Sequence, residues 1–271
     1  MKRILLICFI ITAIRANAQT SLYVDSSISA SGAGTSWSAA YKTLNEALNV
    51  ANAASTTVQY IINIAKGTYY PTGVQSATNR DSAFLIARGG VKLYGGFPSG
   101  GGARNVSADS VTLSGNIGTA TTATDNSYHV MAIAGIASTA DSIIIDGLNI
   151  SGGNANGTGT KTLNAQAVSR NYGGGMCNMA AAGKLVINNC SFSGNAAGGG
   201  YGGGIANINS APAIASCSFR DNIAKQGGGM YNSRTSAAGV GSVISYCTFS
   251  GNSATGSLIS NGGGLSDISN N

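Results

Sequence analysis

The chain has 271 residues, 43% hydrophobic and only 9% charged, so it can fill a core and is not a disordered polyelectrolyte. Forty glycines with three prolines and no Gly-X-Y period exclude collagen and call for many tight turns. The formal charge of +6 rests partly on Lys2, Arg3 and Arg15; without them twelve basic residues face nine acidic ones, with no basic stripe to suit nucleic acid.

Lys2 and Arg3 precede an eleven-residue apolar run, Ile4 to Ile14, and Ala16-Asn17-Ala18 then offers a small-x-small cleavage site. This pattern predicts a secretory signal peptide over residues 1–18, too short to span a membrane. Leu5-Leu6-Ile7-Cys8 is similar to a lipoprotein box, but cleavage there would leave almost no apolar region, so Cys8 is expected to leave with the leader. No later stretch approaches eighteen apolar residues, so no transmembrane helix is expected.

Residues 19–58 read as an N-terminal opening segment that carries one helix. Thr43 and Glu46 form a Thr-x-x-Glu capping box, and Leu44, Ala47, Leu48 and Ala51 fall on one apolar face. Such a helix must cover something, and the remainder, 59–271, offers only strands. Short β-rich pieces broken by glycine are predicted at Tyr60–Ile64, Val91–Tyr94, Val111–Leu113, His129–Ile133 and Ser142–Ile150.

From residue 145 a repeat emerges: Ile145…Leu148-x-Ile150, Ile187…Cys190-x-Phe192, Ile214…Cys217-x-Phe219 and Ile244…Cys247-x-Phe249. The last three each continue to an asparagine, at Asn195, Asn222 and Asn252. Glycine triplets followed by an apolar residue bracket them: Gly173–Met176, Gly202–Ile205, Gly227–Met230 and Gly262–Leu265. The phenylalanines recur after 27 and 30 residues and the triplets after 29, 25 and 35, a period that signals a solenoid. Cys-x-Phe and the β-branched isoleucines put alternate side chains on one face, as strands do. The predicted fold is therefore all-β: a right-handed parallel β-helix with an N-terminal capping helix, truncated at the C-terminus, since the last coil stops at Asn271 before its Ile…Cys-x-Phe half.

Equivalent residues in such a solenoid stack about 4.8 Å apart. Phe192, Phe219 and Phe249 are expected to form one interior column and Ile187, Ile214 and Ile244 another. Asn195, Asn222 and Asn252 should form an amide ladder at a turn. Asn178, Asn207 and Asn232 should form a second at another turn, with Asp267 next. The helix would shield the strand edges of the first coil.

These residues carry a resemblance. "FSGN", "FRDN" and "FSGN", with "GGGM", "GGGI", "GGGM" and "GGGL", resemble the two halves of the polymorphic outer-membrane protein repeat. "YVDSSISASGAGTSWSAAYKTLNEALNVA" followed by "INIAKGTYYPT" looks like the opening of secreted bacterial proteins of the pectin-lyase-like β-helix superfamily. The resemblance covers nearly all of the chain after the leader. It implies the fold and a secreted or cell-surface, outer-membrane-associated location. It leaves activity open, because that superfamily holds lyases and hydrolases as well as adhesins.

Gly198, Gly200 and Gly203 satisfy Gly-x-Gly-x-x-Gly, but no helix and no acid follow at the spacing a dinucleotide needs, so a structural turn is expected. Cys177, Cys190, Cys217 and Cys247 remain after leader removal. The three stacked ones sit too far apart for good disulfide geometry and are expected as free core thiols. His129, Asp141 and Asp146 are the candidate catalytic residues, each with a structural reading beside it. A lone histidine in an alternating segment is usually structural, and Asp146 in Ile-Asp-Gly-Leu can cap a turn.

A lyase would need several carboxylates for Ca²⁺ and a basic residue, and a hydrolase two placed carboxylates. The nine acids are scattered singly, and the polygalacturonase-type Asn-Thr-Asp, Gly-His-Gly and Arg-Ile-Lys strings are missing. Convergence of Asp141, Asp146 and Arg170 or Arg80 would favour an enzyme. The expectation is a non-enzymatic adhesion, glycan-contact or scaffold protein with an extracellular polysaccharide or host surface ligand. No metal or other cofactor is expected. The alternative is a polysaccharide lyase or glycoside hydrolase, with Ca²⁺ only in the lyase case.

Overall fold

The computed structural model describes residues 18–55, 57–75, 78–136, 142–181, 184–234, 241–256 and 262–269. The expected leader, apart from Ala18, and Asp141 lie outside the described residues. Strand makes up 45% of the chain and helix 7%, so it is all-β, and its long sheets are parallel.

The first sheet holds seven strands: Ala18–Val24, Val58–Ala65, Val91–Phe97, Ile143–Asp146, Leu185–Asn188, Ala213–Ala215 and Val243–Ser245. The second holds Gly67–Tyr69, Val111–Ser114, Asn149–Ser151, Ser191–Ser193, Ser218–Arg220 and Thr248–Ser250. The third holds Phe84–Ile86, Met131–Ile136, Met176–Ala181, Ile205–Ile208, Met230–Arg234 and Leu265–Ser269. The chain visits them in one cyclic order, so each circuit lies on the one before. From residue 196 a short three-stranded sheet joins the second to the third. This arrangement is compatible with a β-helix solenoid.

Strand alternation sends every second side chain inward, and parallel register stacks those side chains. One interior column runs Leu22, Ile62, Leu93, Ile145, Ile187, Ile214, Ile244 through the first sheet. A second runs Tyr69, Leu113, Ile150, Phe192, Phe219, Phe249. A third runs Phe84, Met131, Met176, Ile205, Met230, Leu265. The expected phenylalanine stack is the end of the second column, with ring centroids 5.0 and 4.7 Å apart and planes within 7°.

The turn asparagines also ladder as expected. Asn195 Nδ2 donates to Asn222 Oδ1 at 3.1 Å and Asn222 Nδ2 to Asn252 Oδ1 at 2.9 Å. The same oxygens accept the backbone N–H of Asn195 and of Asn222, so each rung also satisfies a buried backbone donor. The second ladder forms too, at 2.6 and 2.7 Å, but at a different place. Asn178, Asn207 and Asn232 lie inside strands of the third sheet, not at a turn. Each is two residues after an interior Met or Ile and therefore shares its inward face.

The helix occupies Leu44–Ala53, with both halves of the Thr43–Glu46 capping box made. Leu44, Ala47, Leu48 and Ala51 are fully buried; the two leucines contribute about 1.5–3 kcal/mol each. Asn52 donates from Nδ2 to Leu85 O and accepts from Ala87 N–H, standing in for a neighbouring strand at the edge of the third sheet. The buried Arg88 donates to the carbonyls of Ala51, Ala54 and Val58, which places a cation at the helix C-terminus.

Three local expectations change. Ser142–Ile150 is two strands, because Gly147 at φ +75° turns the chain between them. The strand expected at His129 begins at Met131. Ala18–Val24, with no predicted strand, pairs residue for residue with Val58–Ile64; on its other edge Tyr23 N–H bonds Gly34 O and Tyr23 O accepts from Tyr41 N–H. The glycine triplets stack on each other: Gly202 turns at φ +69°, and a Cβ on Gly203 would sit 2.5 Å from Gly228 O.

Candidate functional site

Between the first and second sheets the chain bends through one left-handed residue per circuit: Asn189, Ser216 and Tyr246, at φ +51°, +53° and +52°. The stacking of the bend imposes this conformation, since Asn189 N–H bonds Ala215 O and Ser216 N–H bonds Ser245 O in the next circuit. The residue after each bend is Cys190, Cys217 or Cys247, whose thiol turns inward onto the carbonyls of Asn188, Ala215 and Ser245. Ser191, Ser218 and Thr248 then point outward, opposite the interior phenylalanines.

This geometry makes a groove of about 610 Å³ running along the stack. Asn149, Asn189, Ser191, Ser216, Ser218 and Thr248 line it with hydroxyls and amides, and Val106 and Ser107 lie at its side. Tyr246 lines it as well and is 90% exposed, with both ring faces open to a ligand. Tyr201 and Tyr231 stack at 4.6 Å and 15°, so they cover each other's faces.

Asp146 lies behind Asn189. It accepts from Arg104 Nη2 and from Asn189 Nδ2 at 3.2 Å, and the Arg104 guanidinium lies 5.4 Å from the Tyr94 ring. The carboxylate is thus engaged in holding the loop around Arg104 and the first bend in place. Arg170 and Arg80 belong to a different cluster. Arg170 forks onto Asp81 at 2.7 and 2.8 Å and holds that carboxyl below its ordinary range. Arg80 lies 4.2 Å over the Tyr128 ring and donates to Asn126 O, Asn154 O and Asn156 Oδ1. These bonds tie successive circuits together, and none reaches Asp146.

His129 is buried beside this cluster. Its Nδ1 lies 3.1 Å from Gly173 O, so that nitrogen carries the proton, and Nε2 has no partner among the described residues. Burial pushes its pKa below the ordinary histidine value, which makes the neutral ring the resting form. Of the candidate catalytic residues, then, His129 and Asp146 occupy separate places and Asp141 lies outside the described residues. No bond joins two carboxylates among the described residues, and no three His, Cys, Asp or Glu side chains gather there as a metal site. All four described cysteines are free thiols; burial raises Cys177 to about 12 and Cys190 well above its ordinary value, which makes both poor nucleophiles.

Sequence reasoning missed the groove's bend residues. A signal exists in hindsight: the position before each repeated Cys carries Asn, Ser or Tyr, and asparagine tolerates the left-handed region. Comparison with family models, with curated proteins and with solved structures finds no match to the chain.

Proposed function

We propose that the chain is a secreted or cell-surface right-handed parallel β-helix that holds an extracellular glycan in the groove between its first and second sheets. The reading also takes up the pectin-lyase-like resemblance, the outer-membrane type repeats and the leader over residues 1–18. One observation carries it: an open row of hydroxyl and amide side chains ends at a tyrosine that is 90% exposed. Hydroxyls and amides exchange hydrogen bonds with sugar hydroxyls, and an open aromatic face packs against the apolar face of a sugar ring. The lining has no charged side chain, which suits a neutral glycan over a polyuronate.

Titration calorimetry against a panel of neutral and acidic oligosaccharides tests the proposal. Tyr246→Ala should weaken the best ligand up to about tenfold, as expected for losing one aromatic contact, without lowering the melting temperature. Affinity unchanged in Tyr246→Ala overturns the groove assignment. Release of unsaturated or reducing ends from polygalacturonate or another glycan would establish the lyase or hydrolase alternative instead.

A further inference from the structure

The chain leaves the second sheet at Ser114 and reaches the third at Met131 through a loop whose interior oxygens are unusually arranged. Its base is closed by Ser127 N–H donating to Gly115 O at 2.8 Å. Within it, Asn116 Nδ2 donates to Ala120 O at 2.8 Å, and Asp125 Oδ2 accepts Thr119 N–H at 2.8 Å. Asn126 Nδ2 donates to Gly152 O at 2.7 Å. Because both amide nitrogens already face carbonyls, flipping either amide would set two oxygens against each other, so their orientation is fixed.

Each of these side chains then has one oxygen left over. Asn116 Oδ1, Asp125 Oδ1 and Asn126 Oδ1 are buried without a hydrogen-bond partner among the described residues, and so is Ser127 Oγ. Asn126 is only 6% exposed and Ser127 fully buried. A Cβ on Gly152 would meet Asn116 N and Cβ and Asn126 Nδ2, and a Cβ on Gly118 would meet the Asp125 carboxylate, so these residues crowd the same loop. Of seven such unpaired polar atoms among the described residues, four fall in these twelve consecutive positions, and all four are oxygens. Buried polar oxygens without partners are rare in folded proteins, and each is accounted for by strain, an ordered water or a bound ion.

We propose that the loop 115–127 binds one calcium ion through Asp125, Asn116, Asn126 and Ser127. An all-oxygen set favours a hard cation over zinc or copper. Irregular ligands drawn from a loop suit Ca²⁺ better than Mg²⁺, which demands near-ideal octahedral geometry. One carboxylate among neutral oxygens gives a weak site, with Kd of about 10⁻⁴–10⁻³ M, the range of extracellular modules. The ion would pin the loop that connects two sheets, and it is separate from the groove.

Calcium titration of the whole chain, by calorimetry and by thermal melting, tests this. Saturable binding in that range should raise the melting temperature by about 3–10 °C at about 10 mM calcium. Asp125→Asn removes the site's only carboxylate and should weaken binding at least tenfold. Asn126→Asp adds a second charge and should tighten it, which keeps the test open should Asp125→Asn fail to fold. Absence of saturable calcium binding up to about 10 mM, ten times the weakest expected Kd, overturns the proposal. So does calcium binding that neither substitution alters.

Discussion

Between Ala18 and Ile136 the circuits are held by contacts that occur once each, whereas from Ile143 onward each rung repeats the residues of its neighbours. In the first region Arg88 ties the helix C-terminus, Asn52 covers a strand edge, and Arg80 lies over the Tyr128 ring, which Arg170 reaches from the second region. In the second, Phe stacks on Phe and Asn on Asn. Both regions fill the same three interior columns. A repeated residue stabilises by likeness with two neighbours and tolerates variable loops, while a singular contact permits irregular coils but fails alone.

The sharpest way to break the comparison is at the centre of the repeated region. Phe219 has a ring on each side and is fully buried. Phe219→Ala should cost about 3–5 kcal/mol, because the cavity cannot be closed by flanking rings fixed in their own rungs. Chemical denaturation would read it. A loss under about 1 kcal/mol would show that the column is loosely packed and that likeness contributes little.

The same contrast explains what could be read before the structure. Repetition made the second region legible: the Cys-x-Phe rungs, the Phe-x-x-Asn ladder and the glycine triplets hold their expected roles, whereas Gly198 and Gly200, expected in a turn, lie within the strand Ala196–Tyr201. Leu22, Ile62 and Leu93 extend the isoleucine column toward the N-terminus, but their spacing follows no period, so the alignment of Ala18–Val24 with Val58–Ala65 was hidden. The second asparagine ladder was found but misplaced, because asparagine is read as a turn residue when its flanks are glycine-rich. The groove stayed invisible for another reason. Its exposed positions vary in type, and only the left-handed backbone makes Asn189, Ser216 and Tyr246 equivalent.

A test of the singular region follows at smaller scale. Arg88 is 6% exposed and donates to carbonyls of the helix end and of the following strand. Arg88→Met keeps much of the stem's packing but leaves those carbonyls without their donor, at about 2 kcal/mol. The loss should appear first as faster hydrogen exchange in Leu44–Ala53 and Phe84–Ile86, with the stacked rungs after Ile143 unaffected. Equal loss of protection throughout would mean that the two regions unfold as one unit, and the comparison would fail.

The smallest effect lies where the regions meet, at His129, whose Nδ1–H reaches Gly173 at the head of the first glycine triplet. Burial lowers its pKa in the folded chain below the ordinary 6.5, so on acidification the unfolded chain takes up a proton first. Stability should therefore be complete above about pH 6.5 and fall as the pH drops from there toward the folded pKa, by at most about 1.4 kcal/mol per pH unit. His129 is the chain's only histidine, and the carboxyls of Asp25, Glu46 and Asp81 are all held below their ordinary values. Little else among these groups titrates between pH 5 and 6.5. His129→Gln can still donate to Gly173 but cannot take up a proton, so its stability should run flat across that interval. Equal slopes for parent and variant would place the pH sensitivity elsewhere, and would reduce His129 from a pH-sensitive link between the two regions to a spacer.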